Sequence, residues 1–271
     1  MKKVVLIIAI FLGVTACKVN PFTGKKMLNF YGNKQIFPMA FAQYDQFLTE
    51  NSVIENTAES RMIIKVGQRI STAAEKWLNA NGYQGYLNDY KWEYNLVKDE
   101  TVNAWCMPGG KIVFYTGILP ICDNSDGIAA VMGHEIAHAF AKHGQERMTT
   151  SYGQQLGGVA VAIGTSNQDE DTRVLWNSIY GVGSTVGMLA YSRTHESEAD
   201  KLGMVFMIMA GYDPKEAINV WIRMSQRAEG NSPPEFLSTH PSHETRIADL
   251  KAFLPTAKKL AKKYNSQTVN Q

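Results

Sequence analysis

Two histidines stand four residues apart, with a glutamate beside the first, in His134-Glu135-Ile136-Ala137-His138. In an α-helix, residues at this spacing lie on one face, so both imidazoles can bind one Zn²⁺ ion. Glu135 would then lie beside the ion and act as a general base on water. The pattern H-E-x-x-H therefore predicts a zinc-dependent peptidase with one Zn²⁺ per chain.

The residues around this string favour a buried helix. Small and apolar residues recur at helical spacing over residues 126–133 and 139–143, and Asp123, Asn124 or Ser125 can cap the helix start. The alternative is a pair of ordinary histidines, because so short a string also occurs by chance. An acidic residue inside an otherwise apolar helix favours the metal site.

A catalytic zinc site needs a third protein ligand. In a second predicted helix, Glu196 and Asp200 share a face, so Glu196 would bind the metal and Asp200 would orient a ligand histidine. By spacing alone, His195 or Glu198 could compete with Glu196. His195 lies about 100° around the helix from Glu196, so these two cannot both point at one ion. A solvated charged face is the alternative for this helix.

These motifs together carry a family resemblance. The string Y-S-R-x-x-E-x-E-A-D at residues 191–200 follows H-E-x-x-H, and Thr239-His240-Pro241 and Arg246 come later. The chain resembles the zinc peptidase family of the CAAX prenyl endopeptidase, which belongs to the gluzincins, over residues 103–250. Residues 103–117 resemble the family's strand and turn ahead of the zinc helix. Without several membrane spans, the chain looks like the short periplasmic lipoprotein branch or its mitochondrial relatives.

The resemblance implies a role for each matching residue. His134, His138 and Glu196 correspond to zinc ligands, Glu135 to the general base and Asp200 to the support of a ligand histidine.

His240 and Arg246 match a later histidine and arginine that lie near the site and bind the oxyanion or substrate. In some lipoprotein members the corresponding histidine instead approaches zinc and blocks the position of the water. The alternative for His240 is a loop residue ahead of a helix that starts at Pro241. We interpret the remaining histidines as bystanders on helix surfaces, namely His143, His195 and His243.

The strand-like segments ahead of the zinc helix predict where a substrate binds. An extended peptide can add to a sheet edge beside residues 103–106 or 112–115, with Asn103 and Ala104 as substrate-binding residues. The alternative is that these strands only cover the helical core.

The N-terminus predicts a lipoprotein signal over residues 1–16. Lys2 and Lys3 precede an apolar run at residues 4–13, and Cys17 follows a short lipobox. Lipidation of Cys17 would anchor the protein to the membrane without spanning it. Lys18 is not the aspartate that retains many lipoproteins in the inner membrane, which favours the periplasmic face of the bacterial outer membrane. An ordinary signal peptide or an uncleaved anchor is the alternative.

The charge balance and the cysteine positions indicate which partners and which cysteine roles the chain can have. The chain has 27 basic and 25 acidic residues, and Lys2 and Lys3 account for the difference. A mature chain of balanced charge argues against a nucleic-acid partner. Cys106 and Cys122 form either a disulfide or two buried thiols, and neither belongs to a metal-binding C-x-x-C pattern.

We predict an α+β fold, mainly helical, with a zincin-like core and a small mixed or antiparallel sheet beside the H-E-x-x-H helix. The predicted helices cover residues 38–50 and 58–80, and the strands cover 92–97, 102–106 and 112–115. Residues 17–37 are interpreted as a lipid-anchored tether, 38–255 as the peptidase domain and 256–271 as a polar, basic tail. Gly-rich apolar patches at 156–164 and 174–191 are core helices or a mobile lid.

The predicted function is hydrolysis of unfolded or misassembled cell-envelope proteins, in contact with envelope assembly machinery. A chaperone-like lipoprotein with latent or self-inhibited protease activity is the alternative. A secreted digestive gluzincin is a third hypothesis, although it expects no lipidated cysteine.

Overall fold

The computed structural model describes residues 17–24, 26–28, 32–148, 191–228, 234–241 and 245–267. The predicted signal at residues 1–16 and the apolar patches at 156–164 and 174–190 lie outside the described residues. Among the helices that are described, none combines the length and hydropathy needed to cross a bilayer.

Helices make up most of the described chain. They are α1 (Asn33–Glu50), α2 (Ala58–Ala80), α3 (Leu119–Cys122), α4 (Ser125–Ala141), α5 (Arg193–Met209), α6 (Lys215–Ala228), α7 (Phe236–Thr239) and α8 (Arg246–Gln267), and residues 143–148 are also helical. Helix α2 has the predicted bounds, and Thr57 caps its start. Helix α1 begins inside the segment interpreted as a tether, and α8 continues into the segment interpreted as a tail.

The strands form two small sheets. Strands β1 (Cys17–Val19) and β2 (Lys26–Leu28) pair as an antiparallel hairpin. The second sheet contains β3 (Val53–Ile54), β4 (Glu93–Val97), β5 (Ala104–Met107) and β6 (Lys111–Tyr115), in the order β3-β4-β6-β5. Strands β4 and β6 are parallel, and the other pairs are antiparallel. The mainly helical fold with a small mixed sheet confirms the predicted fold class.

The strand order decides between the two predicted substrate edges. Val113 of β6 pairs with Asn95 on one side and Trp105 on the other. An added peptide therefore cannot pair with residues 112–115, and that alternative is wrong. Among the described residues, β5 has a strand partner on one side only, so residues 103–106 remain as the candidate edge.

Helix α4 lies at the centre of the molecule. Asn124 caps its start by accepting hydrogen bonds from the N–H groups of Asp126 and Gly127. Three aromatic rings hold neighbouring helices against α4, with centroids 5.6 Å apart for Trp77 and Phe140 and 5.3 Å apart for Phe140 and Phe206. Because these rings come from α2, α4 and α5, α4 is enclosed between two long helices.

The backbones of α4 and α5 touch at two glycines. A Cβ atom on Gly203 would lie 2.8 Å from both the carbonyl carbon of Gly133 and the backbone nitrogen of His134. These backbone atoms cannot rotate away as a side chain would. The close approach therefore sets the distance between the H-E-x-x-H helix and the helix that carries Glu196 and Asp200.

We expect Gly203→Ala to push α5 away from α4 and to lower the free energy of unfolding by about 1–3 kcal/mol, because overpacking forces backbone shifts. Urea denaturation measures this change. Gly32→Ala is the control, because an added Cβ there meets nothing within 4 Å, and loss of a glycine at that helix start costs under about 1 kcal/mol. Equal stability of both variants would contradict the close-contact interpretation.

Candidate metal centre

Helix α4 turns both of its H-E-x-x-H imidazoles inward. The Nε2 atoms of His134 and His138 lie 3.0 Å apart. Both side chains are buried, with exposed fractions of 3% and 2%. The four-residue spacing therefore places the two rings on one buried face, as predicted.

Helix α5 brings Glu196 to the same point. Ser192 caps this helix, and the Glu196 carboxylate reaches both imidazoles, with Oε2 3.4 Å from Nε2 of His134 and Oε1 3.3 Å from Nε2 of His138. The competing candidates point elsewhere: His195 pairs with Glu146, and Glu198 accepts a hydrogen bond from Asn20. Glu196 is thus the α5 carboxylate that meets the two histidines.

A third imidazole joins this cluster. Nδ1 of His240 lies 3.1 Å from Nε2 of His134 and 3.1 Å from Oε1 of Glu196. Its ring stacks on Phe236 with centroids 4.4 Å apart. One donor atom from each of His134, His138, Glu196 and His240 lies within 4.8 Å of the others. His240 therefore faces the cluster and is more than a loop residue.

The donor set fits a zinc ion. When Nδ1 of a ligand histidine donates a hydrogen bond, its Nε2 carries a lone pair, and here two such nitrogens face each other and a carboxylate. Without a cation these atoms repel. Tetrahedral zinc with bonds of about 2.0–2.1 Å separates its ligand atoms by roughly 3.3 Å, close to the 3.0–3.4 Å found here. His134, His138 and Glu196 would hold the ion, with His240 as a fourth donor.

Asp200 and Arg246 form a buried layer behind the cluster. Oδ1 of Asp200 lies 3.0 Å from Nδ1 of His134, as predicted for a residue that orients this ring. Arg246 donates hydrogen bonds to Oδ1 of Asp200 at 2.7 Å and to Oε2 of Glu196 at 2.8 Å. One guanidinium thus fixes the carboxylates of both Glu196 and Asp200.

Arg246 is enclosed on its other side as well. Its guanidinium carbon lies 3.3 Å from the ring centroid of Trp221, and the side chain is 1% exposed. This geometry suits a residue that holds metal-binding side chains in place. The role in binding an oxyanion or substrate, implied by the resemblance, stays a prediction.

Local charges show that the cluster favours a cation. Burial lowers the pKa of His134, but the carboxylates of Glu196 and Asp200 outweigh it and raise that pKa to about 9. Burial raises the pKa of Glu196, yet the neighbouring histidines hold it well below its usual range. The carboxylates therefore attract positive charge to the point where the imidazoles meet.

Glu135 has an environment suited to proton transfer. Its Oε1 atom lies 3.4 Å from Nε2 of His240 and has no hydrogen-bond partner among the described residues. Burial raises the pKa of the Glu135 carboxyl, although His240 and His134 oppose this in part. A buried carboxylate with a raised pKa and a free oxygen beside a metal cluster can accept a proton from water.

The residues predicted to bind substrate are buried. Asn103 is 1% exposed and Ala104 is fully buried. The Oδ1 atom of Asn103 lacks a hydrogen-bond partner within the described part of the chain.

Cys106 and Cys122 do not form a disulfide. Both are free and buried thiols, which was one of the two predicted alternatives.

The interpretation of His143 as a surface bystander is wrong. His143 is fully buried, and its Nδ1 atom lies 3.0 Å from Nδ1 of His138, one of the candidate metal ligands. In a continuous helix a residue five positions after His138 points about 140° away, so spacing could not reveal this contact. His195 stacks on His143 with its side chain 14% exposed, and His243 lies outside the described residues.

The helical fold and the buried His-His-Glu cluster define a zinc metallopeptidase with a zincin-like core. The chain belongs to peptidase family M48, whose sequence profile matches residues 68–254. The prediction of a zinc metallopeptidase is confirmed, whereas the predicted lipoprotein branch stays a prediction.

Several curated proteins are similar to the chain. The mitochondrial metalloendopeptidase OMA1 of Schizosaccharomyces pombe is 36% identical over 63% of this chain and 49% of its own length. The human mitochondrial metalloendopeptidase OMA1 is 26% identical over 93% of this chain and 48% of its own length. The beta-barrel assembly-enhancing protease of Escherichia coli K12 is 26% identical over 64% of this chain and 37% of its own length. The chain thus spans about half or less of these relatives.

Proposed function

We propose that the chain is a zinc-dependent endopeptidase that hydrolyses unfolded or misassembled proteins of the bacterial cell envelope. The observation that carries this proposal is the convergence of His134, His138 and Glu196 beside Glu135, whose Oε1 accepts no hydrogen bond from the residues that the structure describes. Three donors and an adjacent base are the groups that metal-assisted peptide hydrolysis requires.

The residues divide the chemistry between them. Zinc held by these donors would supply Lewis acidity, which lowers the pKa of water and polarises a carbonyl. Glu135 accepts the proton of the attacking water at Oε1 and then delivers it to the leaving amine. Asp200 and Arg246 keep His134 and Glu196 in place. Asp200 contacts His134, and Arg246 contacts both Glu196 and Asp200.

The outer strand β5 is the proposed binding edge for substrate. An extended peptide that pairs there satisfies main-chain hydrogen bonds with little dependence on sequence. The Oδ1 atom of Asn103 offers a further acceptor at the start of this strand. Selectivity then follows from access, because only an unfolded or mobile segment can extend along the edge.

The position of His240 supports a latent resting form. Its Nδ1 atom lies as close to the cluster as the other donors, and zinc with four protein donors has no position left for water. We propose that His240 closes the site at rest and leaves it when substrate binds. The chaperone-like alternative shares this closed state. The cleavage activity of a variant that lacks His240 therefore distinguishes an endopeptidase from a chaperone-like protein.

We expect His240→Ala to raise the rate of casein cleavage per bound zinc several-fold, because it removes the closing donor and keeps three ligands. Zinc content by atomic emission and cleavage by gel densitometry measure the two quantities. His195→Ala serves as a control histidine outside the cluster. Loss of cleavage with zinc retained would instead assign His240 an assisting role and sink the proposal of a closed site.

Glu135→Gln tests the proposed function directly. The substitution keeps the side-chain volume but removes the proton acceptor, so we expect zinc content to stay at the wild-type level and casein cleavage to fall by about 10²–10⁴-fold. Glu75→Gln, at an exposed position of α2, should leave both unchanged. Wild-type cleavage by Glu135→Gln, or wild-type protein without zinc, would refute the assignment.

The proposed location rests on sequence and on one group of relatives. The relative from Escherichia coli carries a name that refers to β-barrel assembly, which supports an envelope substrate and contact with assembly machinery. Cys17, the proposed lipidation site, begins strand β1. We therefore place the protein at the periplasmic face of the outer membrane, held by acyl chains on Cys17.

Labelling with palmitate tests the anchor. We expect wild-type protein in a Gram-negative host to incorporate the label and to sediment with outer membranes, whereas Cys17→Ser removes the acceptor thiol and prevents both. Cys122→Ser is the control, because Cys122 is buried in the fold. Incorporation of label by Cys17→Ser would contradict the proposed site.

A further inference from the structure

The two H-E-x-x-H histidines have different partners at their second ring nitrogens. Nδ1 of His134 faces the carboxylate of Asp200 at 3.0 Å, and Nδ1 of His138 faces Nδ1 of His143 at 3.0 Å. A metal-bound imidazole usually donates its other N–H to a partner that fixes the ring, and loss of such a partner typically weakens metal binding 10–100-fold. For His138 that partner is another imidazole.

The end of α4 explains how His143 reaches His138. Lys142 adopts a left-handed conformation with φ of 59°, which ends the helix and redirects the chain. Its amino group donates to Oδ1 of Asn33 at 3.1 Å and lies 4.7 Å from the ring centroid of Tyr86. These contacts hold the bend, so His143 turns back under the zinc helix.

A second polar contact lies behind His143. Oε2 of Glu198 is 3.7 Å from Nε2 of His143, and Oε1 of Glu198 accepts a hydrogen bond from Nδ2 of Asn20. Glu198 and Asn20 are 8% and 1% exposed. A series of buried side chains, namely His138, His143, Glu198 and Asn20, therefore connects helix α4 to the N-terminal segment.

Asn20 is itself fixed in a turn. Its Oδ1 atom accepts hydrogen bonds from the N–H groups of Phe22 at 2.9 Å and Thr23 at 3.2 Å. The Phe22 ring packs against Trp77 of α2, with centroids 5.8 Å apart. Residues 20–23 thus contact the peptidase body through the hydrogen bond from Asn20 to Glu198 and the ring contact of Phe22 with Trp77.

The proton positions agree with this series. When Nε2 of His138 binds a metal, its Nδ1 carries the proton and donates it to Nδ1 of His143. The proton of a neutral His143 then lies on Nε2, on the side of the Glu198 carboxylate. Nδ1 of His138 therefore has an acceptor, whereas Nε2 of His143 has no partner within hydrogen-bond distance in the described part of the chain and faces the Glu198 carboxylate at 3.7 Å as a nearby negative charge.

We propose that His143 is a positioning residue for the zinc ligand His138, and that Asn20, through Glu198, couples docking of the N-terminal segment to zinc binding. This inference rests on the proposed function only in taking His138 as a zinc ligand. Its test is zinc affinity, which does not require proteolysis.

The competing explanation is that His143 only fills space. His195 supplies the matched control, because its ring stacks on His143 with centroids 4.4 Å apart. Among the described contacts, however, His195 meets Glu146 and does not touch a ligand. Removing either imidazole costs packing, but only loss of His143 frees Nδ1 of His138.

The first experiment compares zinc affinity of the full-length variants by competition with a chromophoric chelator. We expect His143→Ala to bind zinc 10–100-fold more weakly and His195→Ala to bind it within about 3-fold of wild type. His143→Asn should recover most of the loss, because its Oδ1 occupies the place of Nδ1 and accepts the same hydrogen bond. Cobalt-substituted His143→Ala should also show a shifted visible spectrum, because the ring of His138 turns.

Folding is controlled separately. Urea denaturation of the metal-free variants shows whether His143→Ala and His195→Ala lose similar stability, as packing loss predicts for both. If His143→Ala does not fold, His143→Asn against His143→Leu gives the same comparison. Equal zinc affinity in the two members of either pair overturns the positioning role.

The link to the N-terminal segment is tested by a double-mutant cycle. Asn20→Asp keeps the Oδ1 acceptor of the turn but removes the Nδ2 donor and opposes Glu198 with a second carboxylate. We expect several-fold weaker zinc binding from Asn20→Asp alone and no further loss when it is added to His143→Ala. Phe22→Ala, which removes the ring contact of the same turn with Trp77, should also weaken zinc binding on its own and add little to the loss in His143→Ala.

The outcomes separate the inference from the proposed function. If the wild-type protein binds no zinc, the proposed zinc site is wrong. Wild-type protein that binds zinc, together with additive effects of Asn20→Asp and His143→Ala, overturns only the coupling.

Discussion

The burial of three carboxylates in one core is the constraint on which the rest of the structure depends. Glu135, Glu196 and Asp200 are 2%, 0% and 7% exposed, and ionised groups in such places need compensating charge. Arg246 supplies one positive charge and contacts two of the three. A divalent cation among the imidazoles would supply the remainder. An arginine together with such a metal would therefore neutralise the acidic interior.

The helical scaffold converts this electrostatic requirement into a fixed geometry. Contact between Gly133 and Gly203 brings the backbones of α4 and α5 together directly beside the ligands. Trp221 covers the guanidinium of Arg246, and Phe236 covers the ring of His240. Aromatic rings therefore cover parts of the charged groups, which are themselves buried.

The site was predictable from the sequence wherever helical periodicity alone brings residues together. His134, His138, Glu196 and Asp200 lie on two helices, and the polar residues that cap those helices are visible in the chain. His143 was misjudged because a left-handed residue interrupts the helix before it, and spacing rules assume continuity. The inner position of β6 also could not be predicted from the sequence, because strand order depends on residues far apart in the chain. Parallel pairing with β4 places β6 between two strands.

If Cys17 carries acyl chains as proposed, the docked turn at residues 20–23 would limit how far the enzyme extends from a bilayer. The buried Asn20 is the third residue after Cys17, and three residue steps reach about 10 Å at most. With acyl chains on Cys17, the peptidase body would rest against the lipid headgroups in a restricted orientation. Substrates would then be sampled from a thin layer next to the membrane, where polypeptides emerge from it or fail to enter it.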